Sequence, residues 1–198
     1  NIQKDNISKL KLNNTFTVTT GHQLNILTGP IYFIYKVITV INLCEKLKKK
    51  YPKYNFIPIY WLASEDHDFD EINHFFTNDK KFKWNTNQSG AVGDFNLKSI
   101  KNVIEDYTKQ IKNSTFYDDL VKIIDKAYLS SRNLSEATIS IVNSLFGCYG
   151  LLSIDANNRK LKSIFCEILK NELEYNIVND NSKPSIKNLK KSGYKIQA

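Results

Sequence analysis

The sequence predicts an α/β fold built on a parallel sheet, and three observations predict it. The β-branched and aromatic run Thr15-Phe16-Thr17-Val18-Thr19 ends at Gly21, as a strand does before a tight turn. Beyond Pro30, Ile31, Ile34, Ile38 and Ile41 recur at helical spacing, and Val37, Val40 and Leu43 widen that face. Phe56 to Ala63 is then a continuous apolar run, the mark of a strand covered on both faces. Strand, helix and strand in this order form a right-handed parallel unit by default.

The remaining elements follow in order. A polar helical lead-in runs to about Leu12. The first helix starts at Pro30, where a missing N–H costs nothing, and continues to about Lys50. Pro58 stands near the entrance of the second strand. Residues 75–93 read as irregular, and two helical stretches follow, over 100–128 and 135–146. After the turn Gly147-Cys148-Tyr149-Gly150, residues Leu151 to Ile154 read as a buried strand with Asp155 at its end, and Asn157 or Asn158 caps a helix to about Asn176. The tail from Lys183, with Pro184 and Gly193, approaches a further strand. The expected organisation is 1–75 as the first part of a core, 76–146 as an insert with helices, and 147–198 as the return to the core.

Composition narrows the function. The 198 residues are 41% hydrophobic, enough for one real core. The formal charge of +8 comes from 28 basic residues, of which only Arg132 and Arg159 are arginines. Nucleic-acid readers lean on the bidentate guanidinium, so this is a solvated lysine surface and no nucleic-acid partner is expected. Cys44, Cys148 and Cys166 fit neither a disulfide framework nor a zinc knuckle, which points to a reducing compartment. The longest apolar stretch, Ile31 to Leu43, is interrupted by Lys36 and falls short of the roughly 20 residues of a membrane span. A cytoplasmic protein is expected, with no membrane partner. The chain has no Met and ends without a finished element, so it reads as a piece of a longer one.

Two segments carry the candidate chemistry. In open α/β sheets ligands bind beyond the carboxyl ends of strands, and the free N–H groups of a helix start attract anions. Thr20, Gly21, His22 and Gln23 stand at such a strand end, and Thr28, Gly29 and Pro30 open the helix. Tyr32 and Lys36, four apart, share one helix face. The same residues also fit an ordinary βα turn. The second segment, Ser64-Glu65-Asp66-His67-Asp68-Phe69-Asp70-Glu71, follows the second strand directly and holds five carboxylates and a histidine in a chain that is basic overall. If the strands are neighbours, the two segments meet. A histidine among carboxylates suits acid–base work near neutral pH. Asp66, Asp68 and Asp70 have the spacing of the first EF-hand ligands, but Glu71 and Thr77 stand where that loop needs Gly and Glu, so no metal site is assigned. Tyr60 and Trp61 alternate, so one of them can face a pocket. His74 reads as a packed histidine near the core edge, and Trp84 as an anchor of the insert.

Thr20-Gly21-His22-Gln23, Thr28-Gly29-Pro30-Ile31-Tyr32-Phe33-Ile34-Tyr35-Lys36 and Tyr60 to His74 together resemble the bacillithiol biosynthesis cysteine-adding enzymes, the BshC family. Ser135-Glu136-Ala137 and Phe146 to Asp155 extend the likeness over nearly the whole chain. The resemblance implies a Rossmann-like parallel sheet core, incomplete here, with a helical connecting insert, and a C-terminal coiled coil, absent here, that supports homodimers of the full-length protein. It implies a ligase that joins L-cysteine to the amino group of glucosaminyl-malate, with both small molecules as partners. His22 departs from the second Gln of many members. The histidines of a HIGH-type adenylating signature are missing near Leu27-Thr28-Gly29-Pro30, which leaves the activation of cysteine, by ATP or another nucleotide, open.

Within that reading His67 is the expected base, held by Asp66 or Asp68. Glu65 and Asp70 position sugar hydroxyls or the ammonium. Thr20, Gly21, His22, Gln23, Thr28, Gly29, Tyr32, Lys36 and Trp61 bind the rest of the substrate. A ligand-binding Rossmann-like domain without chemistry, or a nucleotidyltransferase-like enzyme with another acceptor, are the alternatives.

Overall fold

A computed structural model of the chain describes residues 1–77 and 80–196. It divides into two compact units, Asn1–Asn157 and Asn158–Ala198. The first begins with helix α1 (Ile2–Lys9), capped by the Asn1 side chain, and continues through β1 (Thr15–His22), α2 (Tyr32–Lys50) and β2 (Asn55–Leu62). A one-turn helix α3 (Phe69–Ile72) leads into the hairpin β3 (His74–Phe76) and β4 (Lys81–Lys83). Helices α4 (Lys101–Gln110), α5 (Tyr117–Tyr128) and α6 (Leu134–Phe146) precede β5 (Leu152–Asp155).

The main sheet has the order β1-β2-β5 and is parallel throughout. In register, His22 lies opposite Leu62 and Leu62 opposite Asp155, so all three strands end at one edge. Pro58 sits inside the central strand β2, but β5 begins to pair only at Ile59. The proline therefore precedes the stretch bonded on both sides, where a missing donor would cost a ladder bond.

The helix α2 buries Phe33, Val37, Val40, Ile41 and Cys44, a stripe at i, i+4, i+7, i+8 and i+11. Ile31 and Ile38, which the isoleucine period would turn inward, stand exposed. The larger aromatic Phe33 decides the rotation, because its ring packs edge-on against the fully buried Tyr60 at 5.3 Å. Three basic residues in the last turn complement the helix dipole. The core continues into the helical segment, where Trp84 is fully buried among Phe69 and Phe95 and donates Nε1–H to Ser99 Oγ at 2.8 Å.

Three segments depart from the sequence reading. Part of the stretch expected to be irregular is the hairpin β3–β4, held by the parallel stack of Phe75 on Phe82 with centroids 5.0 Å apart. The long helical stretch over 100–128 is broken between α4 and α5 at 111–116. The second unit holds three helices, α7 (Arg159–Ile164), α8 (Cys166–Tyr175) and α9 (Ile177–Lys191). From Lys183 the chain is therefore helical to Lys191 and does not approach a strand; Pro184 sits within α9, and Asp180 accepts from Lys183 one turn apart. Gln197 and Ala198 lie outside the described residues. Among the described residues no helix is long and apolar enough to cross a membrane.

Candidate functional site

Because β1 and β2 are parallel neighbours ending in register, the loop after His22 and the acidic segment after Leu62 leave the sheet side by side. Their backbones touch at both ends of the acidic segment. Ala63 N–H donates to His22 O at 3.1 Å, and Ile26 N–H donates to Ile72 O at 3.4 Å. Gln23 joins the two segments through its side chain, with Nε2 donating to Asp66 Oδ2 at 2.9 Å and to Glu71 Oε2 at 2.8 Å. Asp66 Oδ1 also accepts Asp68 N–H at 3.0 Å. The Asp68 N–H first, and then the Gln23 amide, hold the Asp66 carboxyl below its usual range, so it stays ionised.

The loop between β1 and α2 is strained and clasped from a distance. Leu27 adopts φ of 58°, in the left-handed region that a branched side chain seldom occupies. Its N–H donates to the hydroxyl of the buried Tyr128, at the end of α5, at 2.6 Å. Gly29, at φ of 59°, leaves no room for a side chain, since a Cβ there would lie 2.7 Å from Asn25 Cγ. The loop, Tyr32, Glu71, His74 and Tyr107 enclose a cavity of about 640 Å³, a size that takes a small metabolite.

His22 is packed rather than presented to solvent, with 8% of its surface exposed. Its ring lies 5.1 Å from that of Tyr32 and 5.4 Å from that of Phe33. Nδ1 is 3.0 Å from Gln23 O and 3.2 Å from Asn25 Nδ2. Burial lowers its pKa, and nearby Lys36 lowers it further. The neutral form therefore belongs to the fold. An imidazole held neutral stabilises fully above its unfolded value of 6.5, and that contribution is lost as pH falls below it, because the unfolded chain takes up the proton first. We expect His22→Gln to flatten the loss of stability between pH 7.5 and 5 in denaturation midpoints; an unchanged slope would count against this.

Lys36 Nζ donates to Gly21 O at 2.6 Å, which ties α2 to the end of β1. Trp61 is exposed beside Gly21 and lies outside the cavity lining. Thr28, Gly29, Tyr32 and Gln23 line the cavity, and Thr20 lies within β1, outside that lining. Glu65, His67, Asp68 and Asp70 are exposed on the acidic segment and are also outside that lining. The structure thus brings Gln23 to Asp66 and Glu71, and leaves His67 on the open side of the bridge. Among the described residues no group of three His, Cys, Asp or Glu side chains is poised to hold a metal ion.

A second set of residues, outside the site candidates of the sequence, supports the acidic segment. Gly93 N–H donates to Ser64 O at 2.9 Å, and Val92 N–H donates to Asp66 O at 2.8 Å. Ser64, fully buried, donates its hydroxyl to Asp155 at the end of β5. Asn157 N–H donates to Ser64 Oγ and Asp155 Oδ1, both at 3.0 Å, and Asn157 Nδ2 donates to Asp94 Oδ2 at 3.1 Å. The position of Asp155 at a strand's carboxyl end was a signal for it; Gly93, Asp94 and Tyr128 carry none that spacing reveals.

A family model described as the N-terminal Rossmann-like domain of bacillithiol biosynthesis BshC matches residues 1–198. Among curated proteins, the chain is 48% identical over 171 residues to a protein of Flavobacterium johnsoniae, covering 86% of the chain and 32% of that relative. It is 45% identical over 196 residues to one of Flavobacterium psychrophilum, covering 99% and 36%. A Bacillus cereus relative is 29% identical over 199 residues, covering 96% and 37%. All three are named as candidate cysteine ligases, BshC. The chain spans about a third of the length of these relatives.

Proposed function

Since the chain belongs to the BshC family of bacillithiol biosynthesis, as its N-terminal Rossmann-like domain, we propose that the protein containing it joins L-cysteine to the amino group of glucosaminyl-malate. The observation that carries this reading is the Gln23 bridge, which sets two carboxylates beside a cavity of metabolite size at the carboxyl ends of parallel strands. Amide formation starts from an ammonium that must lose a proton before its nitrogen can attack an activated carboxyl. Asp66 and Glu71, with Glu65 and Asp70 on the same segment, attract and position that ammonium and the sugar hydroxyls. Two imidazoles are at hand to take the proton, His67 on the open loop, flanked by Asp66 and Asp68, and His74 on the cavity wall.

The opposite side of the cavity suits the anionic part of the reactants. The first turn of α2 has no side-chain cap, and although Phe33 and Tyr35 N–H donate to Pro30 O and Ile31 O, the positive end of the helix dipole draws malate carboxylates or an activating phosphate to Gly29, Tyr32 and Lys36. Thr28 completes the pocket wall, and Thr20, Gly21, His22 and Trp61, outside that wall on β1 and β2, support the loops that form it. Cytoplasmic operation fits the three free thiols, Cys44, Cys148 and Cys166. Pairing of the full-length protein through a C-terminal coiled coil belongs to the same reading.

The test is complementation. The full-length gene, placed in a strain lacking its cysteine-adding enzyme, is expected to restore bacillithiol measured by mass spectrometry. Accumulated glucosaminyl-malate without bacillithiol, from soluble protein, would leave a ligand-binding domain or an enzyme with another acceptor.

A further inference from the structure

His74 differs from His67 in two respects. It lines the 640 Å³ cavity, and its ring is held on both sides. Phe76 packs edge-on against it at 5.4 Å, and its Nδ1 lies 3.0 Å from Oδ1 of Asn73, itself only 2% exposed. Asn73 Nδ2 in turn donates to Asp70 Oδ1 at 3.0 Å.

The direction of this chain is fixed by chemistry. A carboxylate can only accept, so the amide presents its NH2 to Asp70 and its oxygen to His74. That oxygen can only accept as well, so Nδ1 carries the hydrogen. In the neutral ring the lone pair then sits on Nε2, which has no hydrogen-bond partner among the described residues. In a catalytic triad an acceptor on one ring nitrogen fixes the tautomer and leaves the other nitrogen as the base; here that acceptor is the Asn73 amide oxygen, and Asp70 holds the amide in place.

We propose that His74 is the general base of the ligation, with Asp70 and Asn73 as its positioning residues; this rests on the function proposed above. The substrate ammonium in the cavity gives one proton to Nε2. The products are a neutral amine and an imidazolium whose Nδ1–H remains on Asn73 Oδ1. The lone pair so freed forms the C–N bond to the activated cysteine carboxyl, and the electron pair of the bond that breaks leaves with the activating group, which carries away the second proton that the nitrogen sheds as it becomes the amide. Glu71 and Gln23 on the same cavity hold the ammonium before transfer.

The test uses the full-length protein expressed in a strain lacking its own cysteine-adding enzyme. Extracts are supplied with glucosaminyl-malate, cysteine and ATP, and bacillithiol is followed by mass spectrometry. His74→Asn keeps a donor for Asn73 Oδ1 but has no Nε2 and should lower the rate at least 100-fold, within the range for loss of a general base. His74→Gly should fall as far, and added imidazole, which the cavity can admit, should restore at least about tenfold of it. A structural role would not respond to imidazole. A His74→Asn protein within threefold of wild type overturns the proposal, as does a His74→Gly loss that imidazole leaves untouched. Absence of product from the wild-type extract overturns the proposed function itself, and the base assignment with it.

Discussion

Gly93→Ala should destabilise the protein by about 3 kcal/mol, the upper end for overpacking a close-packed interior, and lower ligation with it. A Cβ at Gly93 would lie 2.6 Å from Ser64 Cβ and 2.7 Å from Ser64 O, and would press on Ser135 Oγ. Neither Ser64 atom is the far end of a flexible side chain, and Ser135 is itself buried. Ser64 is fully buried and fixed three ways, through its carbonyl to Gly93 N–H, its hydroxyl to Asp155, and the Asn157 N–H it accepts. Moving it pulls on the ends of β2 and β5 together. It also displaces the neighbouring Val92 N–H from Asp66 O, and so the carboxylate that Gln23 holds. Gly90 supplies the comparison, for it has φ of 98° and nothing within 4 Å of a built Cβ. Gly90→Ala carries only backbone strain, about 1 kcal/mol. Chemical denaturation of both variants separates the two effects; a Gly93→Ala midpoint no lower than that of Gly90→Ala would show that the turn gives way freely.

The strand–helix–strand unit was legible because each element has its own period and its own stops: Thr15 to Thr19 closed by Gly21, the helix opened by Pro30, and the apolar run ending at the acidic segment. What escaped the sequence was shorter than a period or longer than a window. The strands of the hairpin β3–β4 have three residues each, too few to alternate visibly, and their pairing rests on the contact of Phe75 with Phe82. The rotation of α2 was misread because isoleucine spacing outweighed one phenylalanine whose partner, Tyr60, is 27 positions away. The same distance effect divides the site. Both segments could be named in advance, since charge and special residues cluster locally. Their support could not: Tyr128 reaches Leu27 across 101 positions and Asp155 reaches Ser64 across 91, contacts that exist only once the register of the sheet is known. His74 was read as a packed residue, and it is half-buried against Phe76, but the cavity at its side is formed by a loop some fifty residues earlier.

Gln23→Glu should lower bacillithiol formation at neutral pH at least 100-fold, as far as loss of the proposed base. The native amide gives Nε2 hydrogens to two carboxylates, Asp66 and Glu71, and so lets two negative charges share one neutral neighbour. A glutamate has no hydrogen to give. Its oxygens would face Asp66 Oδ2 and Glu71 Oε2 at about 3 Å, where the like charges repel even after solvent screening. Either a proton is taken up or the two loops separate, and both outcomes remove the arrangement that receives the ammonium. The pH response tells them apart. In the wild type the depressed carboxyl of Asp66 contributes stability above its unfolded value, and that stability is lost as pH falls through the folded value. In the variant the carboxyl that binds the shared proton has a raised folded value, so its contribution is present below the unfolded value and is lost as pH rises through the folded one. Gln23→Glu should therefore gain stability relative to wild type between pH 7 and 5, whereas Gln23→Leu, which loses both bonds without adding charge, should not. Equal pH responses of the two variants would mean that the loops part and the charges never meet. A Gln23→Glu protein within threefold of wild-type activity would mean that the bridge plays no part in the chemistry.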